Sequence, residues 1–472
     1  MTSLRSRCFL MLVLLPTLLG AGIPEFTEEL ETEPLNYCYI IDNPYKDFDW
    51  RLYGRQYKAA LHIHTVNSDG RNTAEEMIEA HYSRGFDIIA ITDHSFLTPA
   101  WDKAGYGLGT AISAETGTGI LPSERRAEIE KGIGRFGRGM INIPYSNEQS
   151  VSQVVIGAEH INTFWADFNY AATSDESIKD AMTGIVRTAE ELGGISFIAH
   201  PFREDEEPDY LFLSELFMSY PSCKGLEIIN RTIPYSLSYE HLWDNILKLT
   251  MPEGRPVWGF SADDSHAVGH IGFSYNIMLL PELTPEAVRT ATEKGSFYAV
   301  SVLSFEPKPI IPFRNQLESR DPRITEIKTG KNTITVRGLN YERAEWIADG
   351  ERIAFGSTIY LDEHEDKINS YVRARLISQD GIAFTQPFGL GFCGGNCENC
   401  FIERQEEEED VTEEIIIITA TPPPVTEPLE QPLEEPLPPV GYSKEIIVLS
   451  VVVFIASSFA VATLLRKRGA GN

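Results

Sequence analysis

From Tyr57 to about Leu303 the chain alternates short apolar runs with amphipathic stretches, and most of the apolar runs end in a histidine or a carboxylate. That alternation constrains the fold most. Strands that follow one another through helices run parallel and need both faces covered. "FDIIAIT", "QVVIGAE", "ISFIAH", "GLEIIN" and "PVWGFSADD" read as strands. "TAEEMIEAHYSRG" reads as a helix, with Thr73 and Glu76 forming a capping box and Gly85 as its stop. "ESIKDAMTGIVRTAEELGG" is another, and "TPEAVRTATEKG" closes the series with Thr284 as N-cap and Pro285 at the first helical position. The expected architecture is an irregular (β/α) barrel.

The polar residues sort onto these strands. His62 and His64 in "HIHTVNSDG" are two apart, so in a strand they project to one face. Alone, the pair fits a half-buried strand with two hydrogen-bonded histidines as well as half of a metal site. His94 ends "ITDH", Glu159 ends "VIGAE", and His200 ends "FIAH". Asp264 and His266 lie in "SADDSH", and Asp69 sits in the first loop. In a (β/α) barrel all these strand ends share the face that carries active sites. Together they point to metal binding. Five histidines and three carboxylates exceed the roughly four ligands of one zinc ion, so two or three ions sharing carboxylate bridges suit them. Paired ions can hold both the attacking and the leaving oxygen of a phosphoryl transfer. No Gly-x-Ser-x-Gly elbow or Cys–His pair competes.

The ordered motifs "HIHTVNSDG", "ITDH", "GAE", "IAHP" and "DDSH" resemble those of the PHP (polymerase and histidinol phosphatase) superfamily over about Tyr57 to Ser301. "GLEIIN", "ADDSHAVGHIG" and "YVRARLIS" are similar to the CehA/McbA-type metallohydrolases. The resemblance implies a distorted (β/α)7 barrel and a bi- or trinuclear Zn, Mn or Fe site. It also implies hydrolysis of phosphoesters, or in some relatives of other esters or amides. It assigns His62, His64, Asp69, His94, Glu159, His200, Asp264 and His266 as ligands. The last motif departs from the family, reading Ala-Asp-Asp-Ser-His where Ser-Asp-Ala-His is more usual; spacing to His266 favours Asp264 over Asp263.

Other residues carry two readings each. Asp93 is a general acid or base, or a partner that orients an imidazole. His160 and His270 stand beside motif residues, in supporting or surface positions. Arg203 grips a phosphate oxygen or pairs with the acidic run "EDEEPD". The basic stretch "RRAEIEKGIGRFGRG" is a lid that meets an anionic substrate, or a solvated helix and loop. Asn230 opens an N-x-T sequon but sits at a strand end near the site, which argues against glycosylation.

Outside residues 57–303 the pattern changes. Residues 23–56 form an acidic lead-in, and residues 324–389 carry short β-like runs suited to a small antiparallel β-sandwich. Residues 390–445 hold Cys393, Cys397 and Cys400, favouring a local disulfide over a metal cluster, followed by an acidic Pro-rich stalk. Residues 1–22 have the charged start, apolar middle and small-residue end of a signal peptide. Residues 446–465 are uncharged, about 30 Å as a helix, and Arg466-Lys467-Arg468 begin a short cytoplasmic tail, 466–472. The expected location is the cell membrane, crossed once, with the catalytic domain outside. A net charge of −29 argues against a nucleic-acid surface. The chain therefore reads as a surface-anchored, metal-dependent hydrolase acting on a small phosphoester. A metal-bridging hydroxide would attack, with Asp264 as catalytic residue and Arg203 on the substrate. The rivals are an esterase or amidase on the same metals and a non-catalytic surface binding protein.

Overall fold

Thr73 caps the first helix as its sequence predicts: its hydroxyl accepts from Glu76 N, and the Glu76 carboxylate accepts from Thr73 N. The computed structural model describes residues 38–107, 121–151, 160–201, 208–230, 236–302 and 320–393. Strand β1 (Cys38–Asp42) precedes β2 (Gln56–Ala60), and the capped helix is α1 (Ala74–Ser83). Short strands β3 (Ile88–Ile89), β4 (Phe96–Leu97) and β5 (Tyr106–Gly107) follow, then α2 (Ser123–Glu130) and β6 (Ile141–Asn142). Next come β7 (Asn147–Ser150), β8 (His160–Phe164), α3 (Ile178–Glu191) and β9 (Ile195–Ala199).

Two helices went unread in the sequence, α4 (Tyr210–Ser219) and α5 (Ser236–Thr250), on either side of β10 (Cys223–Asn230). Then follow β11 (Trp258–Ala262), β12 (Ser274–Leu279), α6 (Pro285–Lys294) and β13 (Phe297–Val302). The remaining strands are β14 (Arg323–Gly330), β15 (Thr333–Leu339), β16 (Arg343–Ala348), β17 (Glu351–Phe355), β18 (Thr358–Tyr360), β19 (Tyr371–Ile377), β20 (Gly381–Phe384) and β21 (Phe388–Cys393).

The expected distorted (β/α)7 barrel does not close among the described residues. The strands divide into an arc in the order β12-β2-β3-β6 and a five-stranded sheet in the order β11-β10-β9-β8-β7. Within the second, β9, β10 and β11 are parallel, while β7, β8 and β9 are antiparallel neighbours. The link from β7 to β8 is too short for the crossover a parallel pair requires. At the seam the two sheets meet through single bridges, Ile63 to Ser265 and His94 to Glu148. Ser95 (φ 47°) and Asp264 (φ 47°) leave the extended region there, so no regular ladder can continue.

An apolar layer including Leu61, Phe164, Phe197, Phe260 and Phe297 fills the space between the sheets, and α6 packs on it through Val288 and Ala291. Helix α3 turns Ala181, Met182, Ile185, Val186 and Ala189 inward, the spacing of one helix face. The strands of residues 324–389 are antiparallel, as expected for that segment. They do not stop at its edge: β20 pairs β13, so one sheet continues from β19 through β13 and β12 to β2. Cys38 is disulfide-bonded. No helix among the described residues is long and apolar enough to cross a membrane; residues 1–22 and 446–465 lie outside them, as do the stalk, Cys397 and Cys400.

Candidate metal centre

Backbone hydrogen bonds bring the sequence motifs together. Across the seam His64 N donates to Ser265 O and Ser95 N to Glu148 O, and within the arc Thr92 N donates to Ile63 O. Gly70 is required where the first loop returns, because a Cβ there would lie 2.7 Å from the His64 carbonyl. His62, His64, Asp69, His94, His200, Asp264 and His266 all reach one cluster. Glu159 and Arg203 lie outside the described residues.

The centre of the cluster is Glu148, fully buried on β7. Its oxygens lie 3.2 Å from His62 Nε2, 3.2 Å from His64 Nε2, 2.9 Å from His94 Nδ1, 3.1 Å from His160 Nδ1 and 2.9 Å from His200 Nε2. Asp264 Oδ1 is 3.1 Å from His64 Nε2, 3.3 Å from His266 Nδ1 and 3.5 Å from His62 Nε2. Half-exposed Asp69 closes the mouth, with Oδ1 3.1 Å from His266 Nε2 and 3.5 Å from His64 Nδ1. His200 adopts φ 25° and Asp264 φ 47°, conformations that cost a non-glycine residue about 1–3 kcal/mol unless the surroundings enforce them.

Charge is concentrated here. Burial opposes ionisation of Glu148, but the surrounding imidazoles, His62 foremost, outweigh it and hold the carboxyl well below its usual range. Burial likewise opposes the Asp264 charge, and His62 and His64 hold that group low as well. Asp69 is drawn down to about 2, chiefly by His266 against burial. Conversely, His64 is pushed up to about 10 by Asp264 and Glu148 despite burial, and His62 is raised well above its normal value.

These residues suit divalent cations. Four sets of His and carboxylate atoms each gather within 4.8 Å: His64, Asp69, His94 and His266; His62, His64 and Asp264; His62, Glu148 and His200; and His94, Glu148 and His160. Glu148 Oε2 and His94 Nδ1 are buried and 2.9 Å apart, yet among the described residues neither completes a hydrogen bond. Atoms so placed converge on a shared point rather than on each other, as ligand atoms do. Imidazole nitrogens and carboxylates are the donors that zinc, manganese and iron take.

No family model and no curated protein matches the chain. Among solved structures it is similar to a two-domain protein from Bacteroides vulgatus containing a predicted PHP-like metal-dependent phosphoesterase. That match is 15% identical with a TM-score of 0.36, covering 72% of this chain and 88% of that one. A protein from Bifidobacterium adolescentis described as a metal-dependent phosphoesterase is 18% identical with a TM-score of 0.29, covering 50% of this chain and 96% of its own. An amidohydrolase from Chromobacterium violaceum, with bound sulfate and no metal, is 17% identical with a TM-score of 0.26, covering 44% and 87%. At such scores none of the three bears on the chemistry of this chain.

Sequence reasoning missed Glu148 and set His160 aside. "SNEQS" is a polar run with no apolar alternation, so nothing marks it as a buried strand. The assignment of Glu159 in the nearby "GAE" falls outside the described residues. Asp263 and Asp264 point in different directions, Asp264 toward the imidazoles. Asp263 turns away and accepts from Gly272 N, Phe273 N and Ser274 N at 2.6, 2.8 and 2.7 Å. Asp93 holds the first loop rather than an imidazole, accepting from Thr65 N, Thr65 Oγ1 and Ser68 Oγ. His270 Nδ1 accepts from His266 N. The basic stretch is not a lid: Arg135 and Arg138 pair with buried Asp87, Arg125 with Glu79, and Arg126 with Asp102 and Glu130.

Proposed function

We propose that the chain is a PHP-type, metal-dependent hydrolase that cleaves small phosphoesters. One observation carries the reading: a single buried carboxylate, Glu148, within 3.2 Å of nitrogens from five histidines. A buried acid ringed by five imidazole nitrogens is costly as packing alone, and such a set of donors would hold divalent cations. The ligands are His62, His64, Asp69, His94, Glu148, His160, His200, Asp264 and His266, enough for two or three Zn, Mn or Fe ions. When bound, such ions activate water near neutral pH and neutralise charge on a transferring phosphoryl group. Asp264 Oδ1, kept ionised between His62, His64 and His266, orients the attacking water. His94 and Asp69, at the open side, face the substrate. Arg203 remains the proposed grip on a phosphate oxygen.

Topology belongs to the same proposal. A signal peptide over residues 1–22, a catalytic body outside, a Pro/Glu-rich stalk and a span over residues 446–465 would hold the enzyme at the cell surface. The disulfide at Cys38 supports an oxidising compartment. Protease added to intact cells should then release a soluble hydrolase; release of only the last few residues would reverse the orientation. The deciding assay is the purified chain, loaded with Mn or Zn, against phosphomonoesters, phosphodiesters and carboxyl esters. Chelator-sensitive phosphoester cleavage is expected. Cleavage of carboxyl esters alone would replace phosphoesterase by esterase, and an inert but metal-loaded protein would favour a binding role.

A further inference from the structure

Glu227 lies in "GLEIIN", on β10, and is fully buried. It is in none of the four clusters that can hold an ion. Its Oε1 is 2.7 Å from His62 Nδ1. Its Oε2 accepts from His200 N at 2.9 Å and from Asn230 Nδ2 at 2.7 Å. Three N–H donors from β10 and two other strand ends therefore converge on one carboxylate.

From this geometry we infer that Glu227 is the positioning residue of the centre, setting the tautomer of His62 and the backbone of His200 together. A carboxylate accepts only, so it keeps the proton of His62 on Nδ1 and leaves Nε2 as the lone pair facing Glu148 and His64. The other oxygen holds the His200 amide in the conformation with φ 25°, which nothing in the residue itself favours. Asn230 fixes the carboxylate plane, so both oxygens stay aimed. This role explains why the otherwise apolar "GLEIIN" carries two polar residues, Glu227 and Asn230, and why Asn230 is buried rather than presented as a sequon. The inference rests on the metal-centre reading above.

Glutamine is the informative replacement because it keeps the shape but exchanges one acceptor for a donor. With its oxygen on His200 N, its NH2 meets His62 Nδ1 and drives that proton to Nε2. With its oxygen on His62, its NH2 opposes the His200 and Asn230 donors. Purified wild type, Glu227→Gln and Asn230→Ala are titrated with Zn against a competing chelator, and loaded with Co for absorption spectroscopy. Glu227→Gln should weaken the first-bound ion about 10- to 100-fold and shift the Co bands, with wild-type far-UV circular dichroism. Asn230→Ala, which leaves the carboxylate in place, should give a smaller change in the same direction. Unaltered affinity and spectrum in folded Glu227→Gln overturn the inference. Should that variant not fold, wild-type affinity in Asn230→Ala overturns it instead. A wild-type protein that takes up no divalent ion is a different result, and it is the metal-centre reading that then fails.

Discussion

Asp263 and Asp264 are adjacent, and their environments divide their work. Asp263 accepts three backbone amides at the turn before β12, and burial pushes its carboxyl up to about 6. Asp264 faces the imidazoles. Asp263→Asn must set an NH2 against backbone donors, a cost of about 1–3 kcal/mol. Its melting temperature should fall while metal content per folded molecule holds. Asp264→Asn should instead reduce turnover by orders of magnitude, with a smaller loss of bound metal than Glu148→Gln. Glu148→Gln should lose metal and activity together, because it removes the shared centre. Elemental analysis beside thermal denaturation separates the three, and wild-type metal content in Glu148→Gln would defeat its bridging role.

At the scale of the element, helix α1 carries a built-in pH limit. His81 is buried on its inner face, donates from Nδ1 to Met77 O, and among the described residues leaves Nε2 without a hydrogen-bond partner. Burial, against that hydrogen bond, pushes its pKa down to about 3. A histidine free at about 6.5 when unfolded and depressed when folded binds its proton preferentially in the unfolded chain. The stability it permits is complete above pH 6.5 and is lost as pH falls toward 3, about 2 kcal/mol by pH 5. His81→Gln can keep the bond to Met77 without a titrating group. Melting curves at pH 7.5 and 5 should show a smaller loss for the variant than for wild type, and equal losses would remove His81 as the cause.

Across the whole molecule, the C-terminal strands are tied to the helical side by buried charge. Arg373 on β19 pairs with Asp244 and Glu240 on α5, each contact 2.7 Å, and Tyr371 Oη donates to the same Asp244. Arg375 reaches Glu240 and Glu345. Removing one partner of such a set leaves buried charge uncompensated. Arg373→Met should therefore cost about 3–5 kcal/mol in denaturant unfolding. Adding Asp244→Asn should recover part of that loss, since it removes charge that Arg373 no longer balances. A single cooperative transition in wild type, with no separate melting of residues 324–389, would match the sheet that β13 and β20 share.

What the sequence determined by itself was local or periodic. The capping box of α1, the proline-started α6, the inward face of α3 and the strand-end histidines all follow from residue spacing, and each stands where that spacing put it. Seven of the eight proposed ligands converge for that reason, and the eighth, Glu159, lies outside the described residues. What only the tertiary structure decided was non-local. Glu148 and His160 join the centre because β7 and β8 pair antiparallel, placing a polar strand where neither hydrophobic pattern nor neighbouring residues announce it. The open seam in place of a closed barrel arises the same way. Ligands drawn from separate strands meet only if the backbone at Ser95, His200 and Asp264 leaves regular geometry, and the packing of the whole molecule, not any one segment, holds it there.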